Sequence, residues 1–151
     1  MGIDQRLRDL QIQLPEIQVA GLYQPAVKTG NLIFVSGQLP KSEGRIVSQG
    51  KLGGDVTLEI GRRAARTCLV NVLAVLKSEL GSLDKVKQII RLTGYVASAP
   101  GFKDQPKVID GASELLVELF GPLGRHSRVA VGVAELPMGA SVEIDLIAEF
   151  I

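Results

Sequence analysis

Apolar and polar residues alternate along this chain with two different periods, and the periods predict its helices and strands. In three segments the apolar residues recur every three or four positions, which is the spacing of a helix with one buried face. In "SVEIDLIAEF", residues 141–150, they recur at every second position, which is typical of a strand with one covered face. The chain is therefore predicted to combine α and β structure.

The first two predicted helices lie in the N-terminal half. Residues 3–14 have apolar positions at helical spacing, and Pro15 ends the segment. A longer amphipathic helix follows, which the side chain of Asp55 or Thr57 can cap and which Gly81 ends.

The third predicted helix opens at Asp104, with Pro106 in its first turn, and stops at the pair Gly121 and Pro122. Its apolar stripe is regular over the whole length and indicates a buried face. The stripe consists of Val108, Ile109, Ala112, Leu115, Leu116, Leu119 and Phe120.

Segments rich in β-branched residues lie around these helices. "LIFVSGQLP" follows a turn at Gly30 and Asn31, "GRIVS" resembles the return strand of a hairpin or a small extra strand, and residues 85–98 form a longer run. Two more strands flank the turn "LPMGA". The order ββ-α-β-α-ββ predicts an α+β fold with two helices packed on one face of a mixed sheet. The other face then needs a cover, which association with further copies of the chain would provide.

Length and composition predict one domain. The 151 residues, 46% of them hydrophobic, suffice for a single core over residues 1–151, with residues 1–15 as an N-terminal helical extension. The net charge of +1 and the aromatic content of 4% favour neither a phosphate-binding surface nor a platform for base stacking. A nucleic acid partner is therefore not expected.

The signatures of several other protein classes are missing from the sequence. A single cysteine, Cys68, provides neither a disulfide framework nor a cysteine-rich zinc site. The start "MGIDQRLRDL" has no apolar leader and no apolar run is long enough to cross a membrane, so a cytoplasmic protein is expected. The common nucleotide-binding and metal-binding motifs do not occur, so no cofactor and no metal are expected.

Arg128 is the strongest candidate for chemistry. It begins a run in which every second residue is small, so its guanidinium is suited to hold a carboxylate by two parallel hydrogen bonds. A structural ion pair with Glu143 or Glu149 would give the same pattern, and the spacing alone leaves both interpretations open. The small residues are Ala130, Gly132 and Ala134.

Three other features have simpler interpretations. His126, the only histidine, lies in the loop "GRHSR" and is expected to be solvated, with a catalytic role as the alternative. Cys68 lies on the apolar stripe of the second helix and is expected to be a small buried side chain. Arg62, Arg63 and Arg66 are expected on the solvated face of that helix, with a basic contact patch as the alternative.

The segment "YQPAVKTGNLIFVSGQLP", residues 23–40, has a distinctive spacing of polar and glycine residues. Tyr23 lies seven residues before Gly30 of a "GN" turn, and Ser36 and Gly37 begin an "SGQ" motif after the strand.

A second such segment is "SRVAVGVAELPMGASVEIDLIAEF", residues 127–150. Arg128 lies eight residues before Leu136, and Glu143 lies six residues after Pro137. With the helix, strand and helix between the two segments, the sequence resembles the Rid family (reactive intermediate deaminase, YjgF-type, also endoribonuclease L-PSP-like), specifically a longer-chain branch of it. The resemblance covers most of the chain.

The resemblance implies a chorismate-mutase-like fold, a homotrimer with clefts between its subunits, and hydrolysis of reactive enamines and imines of 2-amino acids to 2-oxo acids and ammonia. It gives Arg128 the substrate carboxylate and Glu143 the orientation of the attacking water. Tyr23, Ser36 and Gly37 would line the same pocket, with Gly37 contributing its backbone. The implied partner is a small carboxylate-bearing substrate, and no cofactor is implied.

The sequence also departs from the family pattern. Ala130, which the resemblance places in the substrate pocket, stands where active deaminases often carry cysteine, and His126 stands where many relatives carry proline. Two alternatives to a deaminase therefore stay open: a trimer that binds small carboxylates without turnover, and an endoribonuclease, which the neutral charge disfavours.

The last two strands suggest how the site is assembled. A hairpin around "LPMGA" would place Glu143 opposite residue 132 or 133, roughly 13–17 Å along the strand from Arg128 at ~3.3 Å per residue. One chain would hardly bring both groups to one ligand. The site is therefore predicted between subunits, with Arg128 from one and Glu143 and Tyr23 from its neighbour.

Overall fold

A computed structural model of the protein describes residues 2–18 and 21–151, so Met1 of the predicted extension 1–15 lies outside the described residues. The helices are α1 (Ile3–Asp9), α2 (Leu58–Leu80) and α3 (Gln105–Phe120). The strands are β1 (Ala26–Thr29), β2 (Leu32–Gln38), β3 (Lys41–Ser42), β4 (Arg45–Ile46), β5 (Val86–Ala97), β6 (Ser127–Val133) and β7 (Val142–Phe150).

Five of the strands form a mixed sheet in the order β1-β2-β7-β5-β6. Only the pair β5 and β6 is parallel, and the other neighbours are antiparallel. Helices α2 and α3 pack against each other and against this sheet. The predicted α+β fold with a mixed sheet is therefore confirmed. None of the helices in the described part of the chain is long and apolar enough to cross a membrane.

The alternation along β7 decides which face of the sheet the helices cover. Val142, Ile144, Leu146 and Ala148 are all buried, whereas the residues between them are only half-buried. Burial of Val142, Ile144 and Leu146 contributes about 1.5–3 kcal/mol each, so this register cannot slip by one residue without exposing the whole set. Glu143 and Asp145 are thereby fixed on the face that the helices leave uncovered.

The two long helices follow their sequence signals closely. Thr57, one of the two predicted caps, accepts a hydrogen bond from the Ile60 N–H at 3.3 Å, and Gly81 ends α2 in the left-handed conformation at φ 86°. Cys68 is fully buried, as expected for a small core side chain. Every residue of the predicted apolar stripe of α3 is buried.

The short elements differ from the expectation. Helix α1 ends at Asp9 rather than at residue 14, because Leu10 closes it and Gln11 takes a left-handed φ of 57°. Leu14 still packs on the core without being helical. The "GRIVS" segment contributes β4, which pairs with β3 in a small hairpin, and β1 is a strand that the sequence patterns did not single out.

The predicted hairpin between the last two strands is wrong, because β5 lies between β6 and β7. The "LPMGA" turn bonds instead to a distant loop. Gly50 donates to the Gly139 carbonyl at 3.0 Å, and Ser141 donates to the Ser48 carbonyl at 3.1 Å. These bonds carry the chain across the end of the sheet, so β7 joins the far side of β5.

The run of small residues after Arg128 does not contribute to the open face. Ala130 and Gly132 are in register with Gly94 and Val96 of β5, on the side that the helices cover. A side chain at Gly132 would lie 2.8 Å from the Gln105 Nε2 atom. The small residues therefore make room for α3 and its N-terminal turn.

Candidate functional site

A cavity of about 700 Å³ brings together three of the residues that the sequence singled out, namely Tyr23, Gly37 and Glu143. Pro137 and Met138 of the "LPMGA" turn form part of its wall, beside residues of β2, of the β3–β4 ribbon and of α2. The complete lining is Pro15, Glu16, Ile17, Gln18, Tyr23, Pro25, Gly37, Gln38, Leu39, Lys41, Glu43, Gly44, Asn71, Pro137, Met138 and Glu143.

An irregularity in β2 shapes the floor of this cavity. The pairing of β2 with β7 shifts between Val35 and Gln38, so that Ser36 and Gly37 form a bulge. A Cβ atom at position 37 would overlap the Glu143 carboxylate, so that side chain would have to shift. Glycine at position 37 therefore lets the Glu143 carboxylate keep its place beside the bulge.

Ser36 supports the bulge from outside the cavity. Its hydroxyl donates to the Gln24 carbonyl at 2.7 Å, and its N–H donates to the Pro25 carbonyl at 2.9 Å. These bonds attach the segment that follows Tyr23 to β2. The side chain of Ser36 thus fixes the wall of the cavity and is not part of its lining.

Glu143 is the residue of this cavity whose pKa is shifted by its surroundings. Its carboxylate is half-buried and has no hydrogen-bond partner among residues 2–18 and 21–151. Burial raises the pKa of Glu143 above its ordinary value of 4.5, and the negative charge of Asp145 raises it further. Tyr95 donates to Asp145 at 2.9 Å and holds that second carboxylate in place. A half-buried carboxylate of this kind can bind a water molecule and accept its proton.

The N-terminal segment supplies a wall that sequence reasoning missed. Residues 15–18 line the cavity, and Ile17 also packs against the core. Asn71 holds the opposite side, because its amide donates to the Leu39 and Lys41 carbonyls at 2.9 and 3.1 Å. The signal that could have indicated Asn71 is a polar residue interrupting the apolar run of α2.

Arg128 lies elsewhere, on edge strand β6. Its Nη1 atom donates to Asp110 Oδ1 at 2.7 Å and to the Ser113 hydroxyl at 3.1 Å, both on α3. The structural ion pair considered with Glu143 or Glu149 is therefore not formed, and Asp110 is the partner instead. Glu149 bonds with Asn31 and Lys87, each at 2.9 Å.

The structure does not bring Arg128 and Glu143 together within one chain. Arg128 is in register with Leu92, whose side chain is buried under the helices, and Glu143 is in register with Tyr95 on the other face. Strand β5 lies between them. Ala130 follows Arg128 on the helix side and packs partly against the core, away from the lining of the cavity.

His126 is more restricted than a solvated loop residue. Its ring nitrogens lie 2.6 Å from the Gly124 carbonyl and 3.0 Å from the Ser113 hydroxyl, and the side chain is half-buried. The expectation of a solvated histidine is therefore wrong. Ser113 of α3 connects His126 to Arg128, and Asp110 of the same helix contacts Arg128, although no sequence motif marks either residue.

The three arginines of α2 form ion pairs within the chain. Arg62 and Arg66 reach Glu114 and Glu118 of α3 at 2.7 and 3.9 Å, so they link the two helices. Arg63 pairs with Glu59 on the exposed side of α2. Within the described residues, no group of three or more His, Cys, Asp or Glu side chains is arranged to hold a metal ion.

Comparison with known proteins gives a consistent result. The family model described as "YjgF/chorismate_mutase-like, putative endoribonuclease" matches residues 4–150. Protein TCP17 of Trypanosoma cruzi is 43% identical over 145 residues, which are 95% of this chain and 91% of that protein. A 2-iminobutanoate/2-iminopropanoate deaminase of Dermatophagoides farinae is 32% identical over 130 residues, with 86% of this chain and 87% of that protein covered.

The solved structures agree with the sequence matches. The crystal structure of the protein Atu1372 with unknown function, from Agrobacterium tumefaciens, shares 47% of its residues with this chain. The alignment covers 99% of this chain and 93% of that one, with a TM-score of 0.92. The chain therefore belongs to the YjgF/Rid family, which is also named endoribonuclease L-PSP-like.

Proposed function

We propose that the protein hydrolyses the reactive imine and enamine forms of 2-amino acids to 2-oxo acids and ammonia. The observation that supports this most is the half-buried Glu143 carboxylate, unpartnered within the described residues and facing a cavity beside Gly37 and Tyr23. The deaminase name of one relative points to the same chemistry.

The reaction requires little of the protein, because an imine carbon is already electrophilic. Glu143 holds a water molecule, whose oxygen bonds to the imine carbon while Glu143 takes one of its protons. The electron pair of the C=N bond moves to the nitrogen, which takes that proton from Glu143 to give the carbinolamine. Glu143 then transfers the proton of the carbinolamine hydroxyl to the nitrogen, the C–N bond breaks with ammonia as the leaving group, and the carbonyl group of the 2-oxo acid forms. Arg128 binds the carboxylate of the substrate and thereby fixes the distance from the reacting carbon to the water.

We further propose that the site is shared between subunits of a homotrimer. The separation of Arg128 and Glu143 on opposite faces of one sheet supports this, since a single chain offers only half of the required groups. Three apolar side chains on the face away from the helices are 39–57% exposed, and a neighbouring subunit would cover them. They are Val27, Phe34 and Val131.

The test is ammonia release from imines that an amino-acid oxidase generates in situ from several amino acids. We expect the wild type to accelerate release and Arg128→Ala to reduce the acceleration by about two orders of magnitude, because the carboxylate is no longer fixed. The oligomeric state of the variant, measured by light scattering, must equal that of the wild type.

Absence of acceleration by a correctly assembled wild type would contradict the proposal. Binding of a small 2-oxo acid without turnover would then identify the protein as a carboxylate-binding trimer. Cleavage of RNA that survives repurification and is lost in Arg128→Ala would instead favour an endoribonuclease.

A further inference from the structure

We propose that Asp110, Ser113 and His126 are positioning residues, which hold the Arg128 guanidinium so that one of its edges stays available for a carboxylate. The inference rests on the proposed role of Arg128 in substrate binding. The four side chains form a continuous chain of contacts of 2.7–3.1 Å from α3 to the loop before β6.

The direction of each hydrogen bond in this network follows from chemistry. The Gly124 carbonyl can only accept, so the proton of the neutral imidazole lies on Nδ1 of His126. Nε2 of His126 then accepts from the Ser113 hydroxyl at 3.0 Å. The Ser113 oxygen keeps its lone pairs for Arg128, which can only donate. His126 thus fixes the orientation of the hydroxyl that Arg128 contacts.

Both contacts to Arg128 use the same nitrogen. Nη1 carries two hydrogens, and Asp110 and Ser113 together account for both. Within residues 2–18 and 21–151, neither Nε nor Nη2 donates a hydrogen bond. These two atoms form the side edge of the guanidinium, whose parallel N–H groups match the two oxygens of a carboxylate.

The exposed fractions of Arg128 and Asp110 indicate that Asp110 orients the guanidinium and does not merely neutralise its charge. The side chain of Arg128 is 25% exposed and that of Asp110 is 43% exposed, so the guanidinium is the more enclosed group. Its long side chain loses rotamer entropy on binding a ligand, and the network removes part of that loss in advance. Asp110 is therefore a support for the ligand site and not a competitor for it.

The experiment measures the dissociation constant of 2-oxobutanoate by calorimetry for the full chain. Asp110→Ala and Ser113→Ala are each expected to raise it about three- to tenfold, the loss that one hydrogen bond typically causes. Alanine is the best helix former, so neither substitution threatens α3. Ser113→Thr, which keeps the hydroxyl, is expected to restore most of the affinity.

Glu114→Ala is the matched control. Glu114 follows Ser113 on α3 and pairs with Arg62 at 2.7 Å, the same distance as the Asp110 pair, but forms no hydrogen bond or ion pair with Arg128 among the described residues. Its removal deletes an equal charge from the same helix and is expected to leave the dissociation constant unchanged. His126→Phe should weaken binding in the wild type and have no further effect on Ser113→Ala, because His126 acts through Ser113.

The outcomes separate this inference from the proposed function. Unchanged or tighter binding in Asp110→Ala and Ser113→Ala, while the wild type binds and deaminates, would overturn the positioning role alone. Weaker binding in both variants of a protein that shows no turnover would support the positioning role and refute the deaminase. A wild type that does not bind 2-oxobutanoate at all would overturn the positioning role, whereas the deaminase proposal is decided separately by ammonia release.

Discussion

Folding removes part of the hydration of the Glu143 carboxylate. The free energy of unfolding that this costs should depend on pH. Below its ordinary pKa of 4.5 the group is protonated in both the folded and unfolded states, and burial has no electrostatic cost. As the pH rises, the unfolded chain loses this proton first because the pKa of Glu143 is raised in the folded state. Stability therefore decreases until the pH exceeds the raised value.

Glu143→Gln is accordingly expected to raise the melting temperature at pH 7, by a few degrees at most, and to have no effect near pH 4. The measurement is thermal unfolding of both proteins across this pH range. Glu135→Gln serves as the control for loss of a charge alone, since Glu135 is 75% exposed and pairs with Lys51 at 3.2 Å on the surface. An equal effect at both pH values would contradict the electrostatic explanation.

The ion-pair partner of Arg128 could not be predicted from the sequence. The small neighbours of Arg128 make room for α3 and its N-terminal turn, and the structural ion pair was considered only with Glu143 or Glu149. The actual partner, Asp110, lies 18 residues away on a helix that packs over the strand. No spacing rule links a strand residue to a helix residue across such a contact, because the angle and height at which the helix packs are set by the core.

At the scale of elements, the crossing of α2 and α3 depends on Gly111. A methyl group there would overlap the backbone carbonyl of Arg62 on α2, so the two helices would have to separate. Gly111→Ala gains about 1 kcal/mol of helix propensity but should cost about 1–3 kcal/mol through overpacking, and more if the helices cannot move apart. We expect a net loss of stability in denaturant unfolding.

Gly61 provides the matched comparison on α2. A methyl group at that position would meet the side-chain ends of Leu52 and Val108, which can shift, and no backbone of the opposite helix. Gly61→Ala should therefore cost less than Gly111→Ala. Equal costs would show that the close approach of the helix backbones is not what requires glycine.

At the scale of the whole molecule, a site shared between subunits makes a prediction about mixtures. Arg128→Ala keeps Glu143, and Glu143→Gln keeps Arg128, so in the proposed homotrimer a mixed assembly would contain some sites with both native groups. For a 1:1 mixture that assembles at random, about one quarter of the sites are native. Co-refolded variants, each inactive alone, should regain activity of that order.

The same mixture tests the arrangement directly. Activity that stays at the level of the separate variants, although native mass spectrometry shows mixed trimers, would place both groups within one chain. Co-refolded Arg128→Ala with Arg128→Ala/Glu143→Gln is the control, because no combination of these chains restores a native site.

The sequence by itself determined the helices, most strands and the fold class, because periodicity and capping are local properties. The buried stripe of α3 and the two ends of α2, at Thr57 and Gly81, could be predicted without knowing which elements pack against these helices. The resemblance in spacing also identified the family, and it named Tyr23, Gly37 and Glu143, which one cavity brings together.

Only the tertiary structure decided the order of the strands and the contacts of Arg128. The alternation in β7 shows that one face is covered but not which strand lies beside it, since the pattern is the same for every neighbour. The insertion of β5 between β6 and β7 depends on hydrogen bonds between the "LPMGA" turn and residues 48–50, far apart in the chain. Arg128 is in register with Leu92 and Glu143 with Tyr95, so the two side chains lie on opposite faces of the sheet. The sequence predicted their separation from a hairpin that does not form, because the partner of each strand is set by long-range contacts.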